Sequence, residues 1–294
     1  MPGEILVLLS ALFYGAASVA IVRGQGGKSH DNGLLLSVIL TAVISGFIWQ
    51  KFGHVGLERF ETADGRWGLL IFALAGLFSI VFGRICLYVS TERLGAVRAS
   101  ILRRLTPVFA VPFAFLILGT VPGVRETTGG AIVLTAVLLF FGPAGRLPSG
   151  VLSGYVWAVS SAAFYAMAYC LRSLGMESVP DPAFGTFVGA LAGLVWLIAR
   201  ACFRSGFRNS IMWSLAQNGP WQWVAALSLS IGQMLQFFAL SSASVPVVAV
   251  LGTLEVIFAA ALAAILSGDG AQLNAKIILC VGLVLVGTAL LVRL

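Results

Sequence analysis

Leu77–Arg84 reads LFSIVFGR and Ala226–Gln233 reads ALSLSIGQ, and the second lies over the first at a constant offset of 149 residues. That register matches Ser79 with Ser228, Gly83 with Gly232 and Arg84 with Gln233. Carried further, it sets Leu105 on Leu254, Phe109 on Phe258 and Gly119 on Gly268. Near the start, Ser10–Tyr14 (SALFY) falls on Ser161–Tyr165 (SAAFY). The chain therefore divides into two copies of one unit, 1–146 and 147–294. Each copy holds five long apolar stretches. A duplicated bundle with an odd number of spans per copy must be inverted in a membrane, with its functional cavity where the copies meet.

Hydrophobic residues make up 59% of the 294 residues and charged ones 10%, against roughly 25% charged in a soluble domain. The mean hydropathy of +1.01 says the same. Ten spans are read at about 4–23, 33–51, 67–90, 94–118, 127–143, 151–172, 183–203, 221–242, 245–266 and 273–292, each near the ~20 residues a membrane helix needs. Runs this long exclude a β-barrel. The expected fold is an all-α membrane protein of ten transmembrane helices, two inverted five-helix repeats around a central cavity. Short connections leave no room for a soluble catalytic domain. Glu4 and the length of the first apolar run mark that span as retained rather than as a signal peptide.

The net charge of +7 reads as headgroup contact, not nucleic-acid binding. With both ends inside, Lys51, Arg59, Arg66, Arg125, Arg172 and Arg293 face Arg23, Lys28, Arg93, Arg146, Arg200, Arg204, Arg208 and Lys276 outside. Charge bias alone thus leaves orientation open. Cys86, Cys170, Cys202 and Cys280 fall inside spans without CxxC spacing, and read as packing residues rather than disulfides or metal ligands. Gly24–Ser29 nearly spells a phosphate-binding loop, but Val22 stands where its first glycine belongs and a membrane helix precedes it. His30 and His54 are isolated, and no Ser/His/Asp set is spelled. No enzyme, metal or cofactor is expected, and oligomeric state is left open.

Candidate site residues come from polar groups inside the spans. Ser10, Tyr14 and Ser18 share one helix face in the first span, and Ser161, Tyr165 and Tyr169 repeat the pattern in the sixth, with Trp157 one turn away. Mid-membrane hydroxyls need a partner. These either bond between helices or face a cavity whose aromatic walls suit amphipathic solutes. Arg84 and Gln233 hold equivalent places, followed by Tyr88 and Gln236. An arginine here either snorkels to headgroups or faces the interior, where its fork matches a substrate carboxylate. The glutamines serve as interhelical glue or as ligand contacts.

In the fourth span the apolar run Leu105–Leu118 covers only about 21 Å at ~1.5 Å per residue, so the helix must draw in Arg103, Arg104 and Arg98, at least one pointing inward. Pro107 and Pro112 each remove a helical hydrogen bond, which makes either a gate hinge beside the basic cluster or a simple bend. Glu255 is the one carboxylate well inside a span. It either pairs with Arg84 or Arg103, or handles a proton or a substrate ammonium. Gly189, Gly193, Ala259, Ala260, Ala263 and Ala264 read as helix-packing positions.

The duplication, the Leu105–Phe109 stretch (LTPVF) and the glycines ending the fourth and ninth spans resemble the drug/metabolite transporter superfamily, in particular ten-helix bacterial exporters built from two EamA-type repeats. In that family the glycine is commonly followed by glutamate. Here the pairs are Gly119–Thr120 and Gly268–Asp269, and Pro107 corresponds to Val256. The resemblance implies a multi-pass protein of the bacterial inner membrane with both termini cytoplasmic. It also implies export of amino acids and related metabolites, the aromatic amino acid exporter branch foremost.

Together these readings give a secondary transporter for small amphipathic metabolites working by alternating access, its partners a small-molecule substrate and the lipid bilayer. Spans one, three, four, six, eight and nine are expected to line the cavity. Tyr14, Tyr88, Tyr165 and Tyr169 would hold the apolar body, Arg84 a carboxylate, and Glu255 an ammonium or proton. The competing substrate class is drugs or quaternary ammonium ions, and a membrane enzyme or inert scaffold stands further off.

Overall fold

The structure is a computed structural model that describes residues 3–25, 31–56, 58, 61–119, 149–202, 215–243 and 245–267, with scattered positions at 124–139 and 279–286. Among the described residues, seven helices are long and apolar enough to cross a membrane. They are Gly3–Gly24, Leu34–Phe52, Ala63–Leu94, Ala96–Leu118, Leu152–Ser178, Pro182–Cys202 and Pro220–Leu240. An eighth crossing is assembled from Val245–Leu251, a short 3-10 turn Gly252–Leu254 and Glu255–Ser267. These are spans one to four and six to nine of the ten-span reading. The fifth and tenth lie essentially outside the described residues.

Phe52, Leu116 and Ile265 are among the most exposed side chains, while Arg84, Arg103, Arg104, Arg172, Gln233 and Gln236 lie inside with a set of serines. That reverses the soluble pattern and suits a chain solvated by lipid. Equivalent caps start spans two and seven. Asp31 accepts from the Leu35 amide at 2.9 Å, and Asp181 accepts from the Phe184 amide at 2.9 Å. Each carboxylate satisfies an orphan amide at a helix start.

The repeats exchange their first helices. Span one packs against spans eight and nine, and span six packs against spans three and four. The Ser10 hydroxyl donates to the Gly232 carbonyl at 2.7 Å, and the equivalent Ser161 hydroxyl donates to the Gly83 carbonyl at 2.9 Å. Both glycines let the tyrosines approach closely, since a Cβ on Gly83 would lie 3.1 Å from the Tyr165 ring and one on Gly232 would lie 3.3 Å from Tyr14. Spans three and seven cross at Gly76 and Gly189, where a Cβ on Gly76 would come within 2.2 Å of the opposing backbone. The small residues expected to pack helices do so at Gly189, Gly193 and Ala259.

Span three runs 32 residues, further than expected, and widens into a π-helical stretch over Leu77–Gly83 before resuming at Arg84. Span four is not one kinked helix but two. Ala96–Arg103 ends in a turn at Arg104 and Leu105, and Thr106–Leu118 begins anew. Pro107 therefore stands in the first turn of a helix, where its missing N–H costs nothing. The Arg103 carbonyl it leaves free accepts from the Thr106 hydroxyl at 2.6 Å. Span nine breaks at the equivalent point, Gly252–Leu254, so that Glu255 opens its second half as Thr106 opens that of span four. Pro112 lies inside the second helix of span four. One charge assignment is corrected. Arg172 is not a loop residue, since span six continues to Ser178 and buries it.

Candidate functional site

The two breaks face one another across a cavity of about 20 Å³, room for roughly one ordered water. Ser10 and Tyr14 from span one, Arg103, Arg104, Thr106 and Pro107 from span four, and Tyr169 from span six line it. Gln236 from span eight and Gly252 and Glu255 from span nine complete the wall. Spans one, four, six, eight and nine thus contribute as expected, and span three does not. No amino acid fits this volume, so a solute enters only if the surrounding spans move apart.

A compact ion-pair cluster holds one wall. Arg103 Nη1 lies 2.9 and 3.0 Å from the two Glu255 carboxylate oxygens, and Arg104 Nη2 lies 2.8 Å from Oε2. Ser100 donates to Oε1 at 3.1 Å and Ser18 at 3.4 Å. Arg104 also donates to the Gly252 carbonyl at 2.5 Å, the acceptor that the 3-10 turn turns outward. All three charged residues are at most 4% exposed. A pair this buried persists only when both members have satisfied geometry, because the desolvation cost of each ion rivals its attraction to the other. The cluster joins spans one, four and nine. Glu255 is thus ion-paired with Arg103 and Arg104, and not with Arg84. Of the three arginines expected near the fourth span, Arg103 and Arg104 point inward and Arg98 is exposed.

Aromatic rings surround the cluster. The Arg103 guanidinium stands 5.2 Å from the Tyr14 ring and 4.9 Å from the Tyr165 ring, which meet edge to face at 6.4 Å. Equivalent tyrosines of the two repeats thus touch, with a cation between them. Gln236 joins spans one and six by accepting from the Tyr14 hydroxyl at 3.4 Å and donating to the Tyr169 hydroxyl at 2.7 Å. Tyr14 and Tyr169 serve both readings at once, with hydroxyls bonding to Gln236 and side chains lining the cavity, whereas Tyr165 stands behind them against Arg103 and outside the lining.

Arg84 is fully buried but is not in the cavity wall. Its Nη1 donates to Ser37 at 3.0 Å and Thr41 at 3.2 Å, and its Nη2 donates to Gln233 at 2.5 Å. Snorkelling is ruled out by the length of span three, which runs ten residues past Arg84 to Leu94. Tyr88 packs with Tyr14, Ala17 and Leu229, away from the cavity. Trp157 lies on the outer surface at 36% exposure and joins none of these groups. Of the cysteines, Cys86 and Cys170 are buried as packing residues, Cys202 is exposed and Cys280 falls outside the described residues.

Three groups escaped the sequence reading. Arg172, Ser100 and Thr106 were all legible in principle. Tyr165, Tyr169 and Arg172 follow i, i+4, i+7 spacing on one helix face. Ser100 precedes Arg103 and Arg104 by one turn, and Thr106 is the equivalent of Glu255.

The profile of the EamA-like transporter family matches residues 1–142 and again residues 152–293. A solved structure titled "Crystal structure of protein" superposes with a TM-score of 0.68 over 98% of this chain and 96% of that one, at 13% identity. At that identity the likeness speaks for the fold alone. No curated protein is matched by the chain.

Proposed function

Since the chain belongs to the EamA-like transporter family, within the drug/metabolite transporter superfamily, we propose that it exports small amphipathic metabolites by alternating access, aromatic and other neutral amino acids foremost. The observation that carries this reading is the Glu255 ion pair with Arg103 and Arg104 set in a wall of tyrosines. An amino acid carries the same two charges in the reverse sense. Its carboxylate competes with Glu255 for the two guanidiniums, whose fork geometry matches a carboxylate. Its ammonium takes the place those guanidiniums leave at Glu255. Every buried charge keeps a partner through the exchange, which avoids the several kcal/mol an unpaired buried ion costs. The ring then packs against Tyr14, Tyr165 and Tyr169 in place of the guanidinium face.

The same exchange supplies the gate. The cluster ties span four to span nine at their two breaks, so substrate binding loosens the tie from within. Arg103, Pro107 and Pro112 form the hinge side, with Thr106 holding the free Arg103 carbonyl. We place the repeat boundary between residues 146 and 147, the protein in a bacterial inner membrane and both termini in the cytoplasm.

One observation favours a second reading. The Tyr14 and Tyr165 faces already hold a cation, as an aromatic cage for a quaternary ammonium would. Flux into liposomes carrying the purified chain separates the two. Labelled phenylalanine or tryptophan should move saturably, while lysine and a quaternary ammonium ion should not. Transport of the quaternary ammonium ion alone would replace the first reading with the second, and no flux of any solute would contradict both.

A further inference from the structure

Four arginines are buried inside the spans, and only Arg103 and Arg104 pair with a carboxylate among the described residues. Arg84 and Arg172, at 0% and 1% exposure, are linked to each other through neutral groups. Arg172 Nη2 donates to the Ser79 hydroxyl at 2.6 Å, Gln233 Nε2 reaches the same hydroxyl at 3.5 Å, and Gln233 Oε1 accepts from Arg84 at 2.5 Å. The Phe237 ring lies 4.9 Å from the Arg172 guanidinium. Donors remain over. Arg84 Nε, Arg172 Nη1 and the Tyr165 hydroxyl are buried without a hydrogen-bond partner among the described residues. Two buried cations satisfied only by hydroxyls and one amide are expensive in a membrane interior. The excess of donors and of positive charge asks for an anion.

We propose that Arg84 and Arg172 form a second anion subsite, which takes a compact anionic group. That group is either a second acidic group of the carried solute or an inorganic anion bound beside it. The placement follows from span eight. Gln233 belongs to the Arg84–Arg172 cluster and Gln236 lines the cavity, one helical turn or roughly 5 Å along the same helix. Span eight thus runs from the cavity to the Arg84–Arg172 cluster, the direction along which a solute with acidic groups at both ends would extend. The inference rests on the cavity being the carrier's binding site, and it narrows the solutes to those with net negative charge or to those moved with an anion.

The test uses the full chain in lipid nanodiscs and three probes: phenylalanine, 3-phenylaspartate (the same amino acid with a second carboxylate), and chloride against gluconate at equal ionic strength. Wild type should bind 3-phenylaspartate about tenfold tighter than phenylalanine, as a charge-assisted contact provides. Arg84→Gln and Arg172→Gln should erase that ratio, and Arg172→Lys should keep part of it. A melting temperature raised by chloride in wild type, but not in Arg84→Gln or Arg172→Gln, assigns the subsite to an inorganic anion instead. If either glutamine variant fails to fold, Arg172→Lys and Ser79→Ala carry the same comparison. Equal affinities for the two amino acids with no chloride effect, or effects that survive loss of both arginines, overturn the proposal. Phenylalanine flux in the same preparation keeps the two ideas apart: if it persists while the subsite tests fail, only the subsite falls.

Discussion

Arg84 and Gln233 occupy the same place in the two repeats, and the Arg84 guanidinium donates directly to the Gln233 side-chain oxygen Oε1 at 2.5 Å. Tyr14 and Tyr165, another equivalent pair, meet edge to face at 6.4 Å. Equivalent residues touch one another only where a two-fold axis passes between them. Both pairs lie deep in the bundle, so the axis runs through its polar interior. On that axis the chain has broken its own symmetry, with an arginine facing a glutamine and a glutamate standing where the other copy has Thr106.

The ion-pair cluster should behave as a unit. Glu255→Gln leaves two buried guanidiniums without a counter-charge and should cost about 3–5 kcal/mol of stability. Adding Arg103→Gln to it should cost less than the sum of the two single changes, by about 0.5–3 kcal/mol of coupling. Chemical unfolding of the four variants in mild detergent measures this. Additive losses would mean that the contacts in the structure do not couple.

Transport should separate the tyrosines from Trp157. Tyr169→Phe removes the acceptor of the 2.7 Å bond from Gln236 and should lower phenylalanine flux severalfold. Trp157→Ala, on the outer surface, should leave flux unchanged. Initial rates in proteoliposomes at matched protein content decide it, and the reverse ranking would move the site elsewhere.

Much of this arrangement was legible in the sequence because a repeat converts one observation into two. The SALFY and SAAFY stretches identified the helices that meet at the axis, and Glu255 stood out because a carboxylate inside a span is rare. Other features were hidden by rules that hold for shorter helices. Arg172 lies close to the point where an apolar run fades and so read as a loop residue, and the same fading left Arg84 divided between headgroups and interior. The helices continue to Leu94 and Ser178, and that places both arginines in the interior. Pro107 read as a kink because periodicity does not reveal a helix restart. The clue was Thr106, a hydroxyl placed to take over the Arg103 carbonyl that proline leaves unpaired.

The exchanged first helices yield a symmetric prediction. Ser10→Ala and Ser161→Ala each remove one hydrogen bond to a glycine carbonyl. Each should cost about 0.6 kcal/mol, the usual worth of such bonds between membrane helices. The two losses should be similar and additive, since the bonds join different helix pairs. Thermal unfolding of the single and double variants reads this out.

Close approach of spans three and seven should tolerate no side chain. Gly76→Ala places a Cβ 2.2 Å from the Gly189 backbone, and the helices must move apart. A loss of about 1–3 kcal/mol is expected, as for overpacking elsewhere. Gly119→Ala, at the end of span four where a Cβ meets nothing within 4 Å, tests the backbone instead. Its φ of +67° makes any destabilisation conformational rather than steric.

The most direct test of the account is counterflow of labelled phenylalanine in proteoliposomes carrying wild type, Glu255→Asp or Glu255→Gln. If substrate binds by exchanging partners with the Glu255 ion pair, wild type shows saturable flux, Glu255→Asp keeps a measurable part of it, and Glu255→Gln falls by at least about tenfold, the worth of one lost charge contact. Undiminished flux through Glu255→Gln across pH would contradict it.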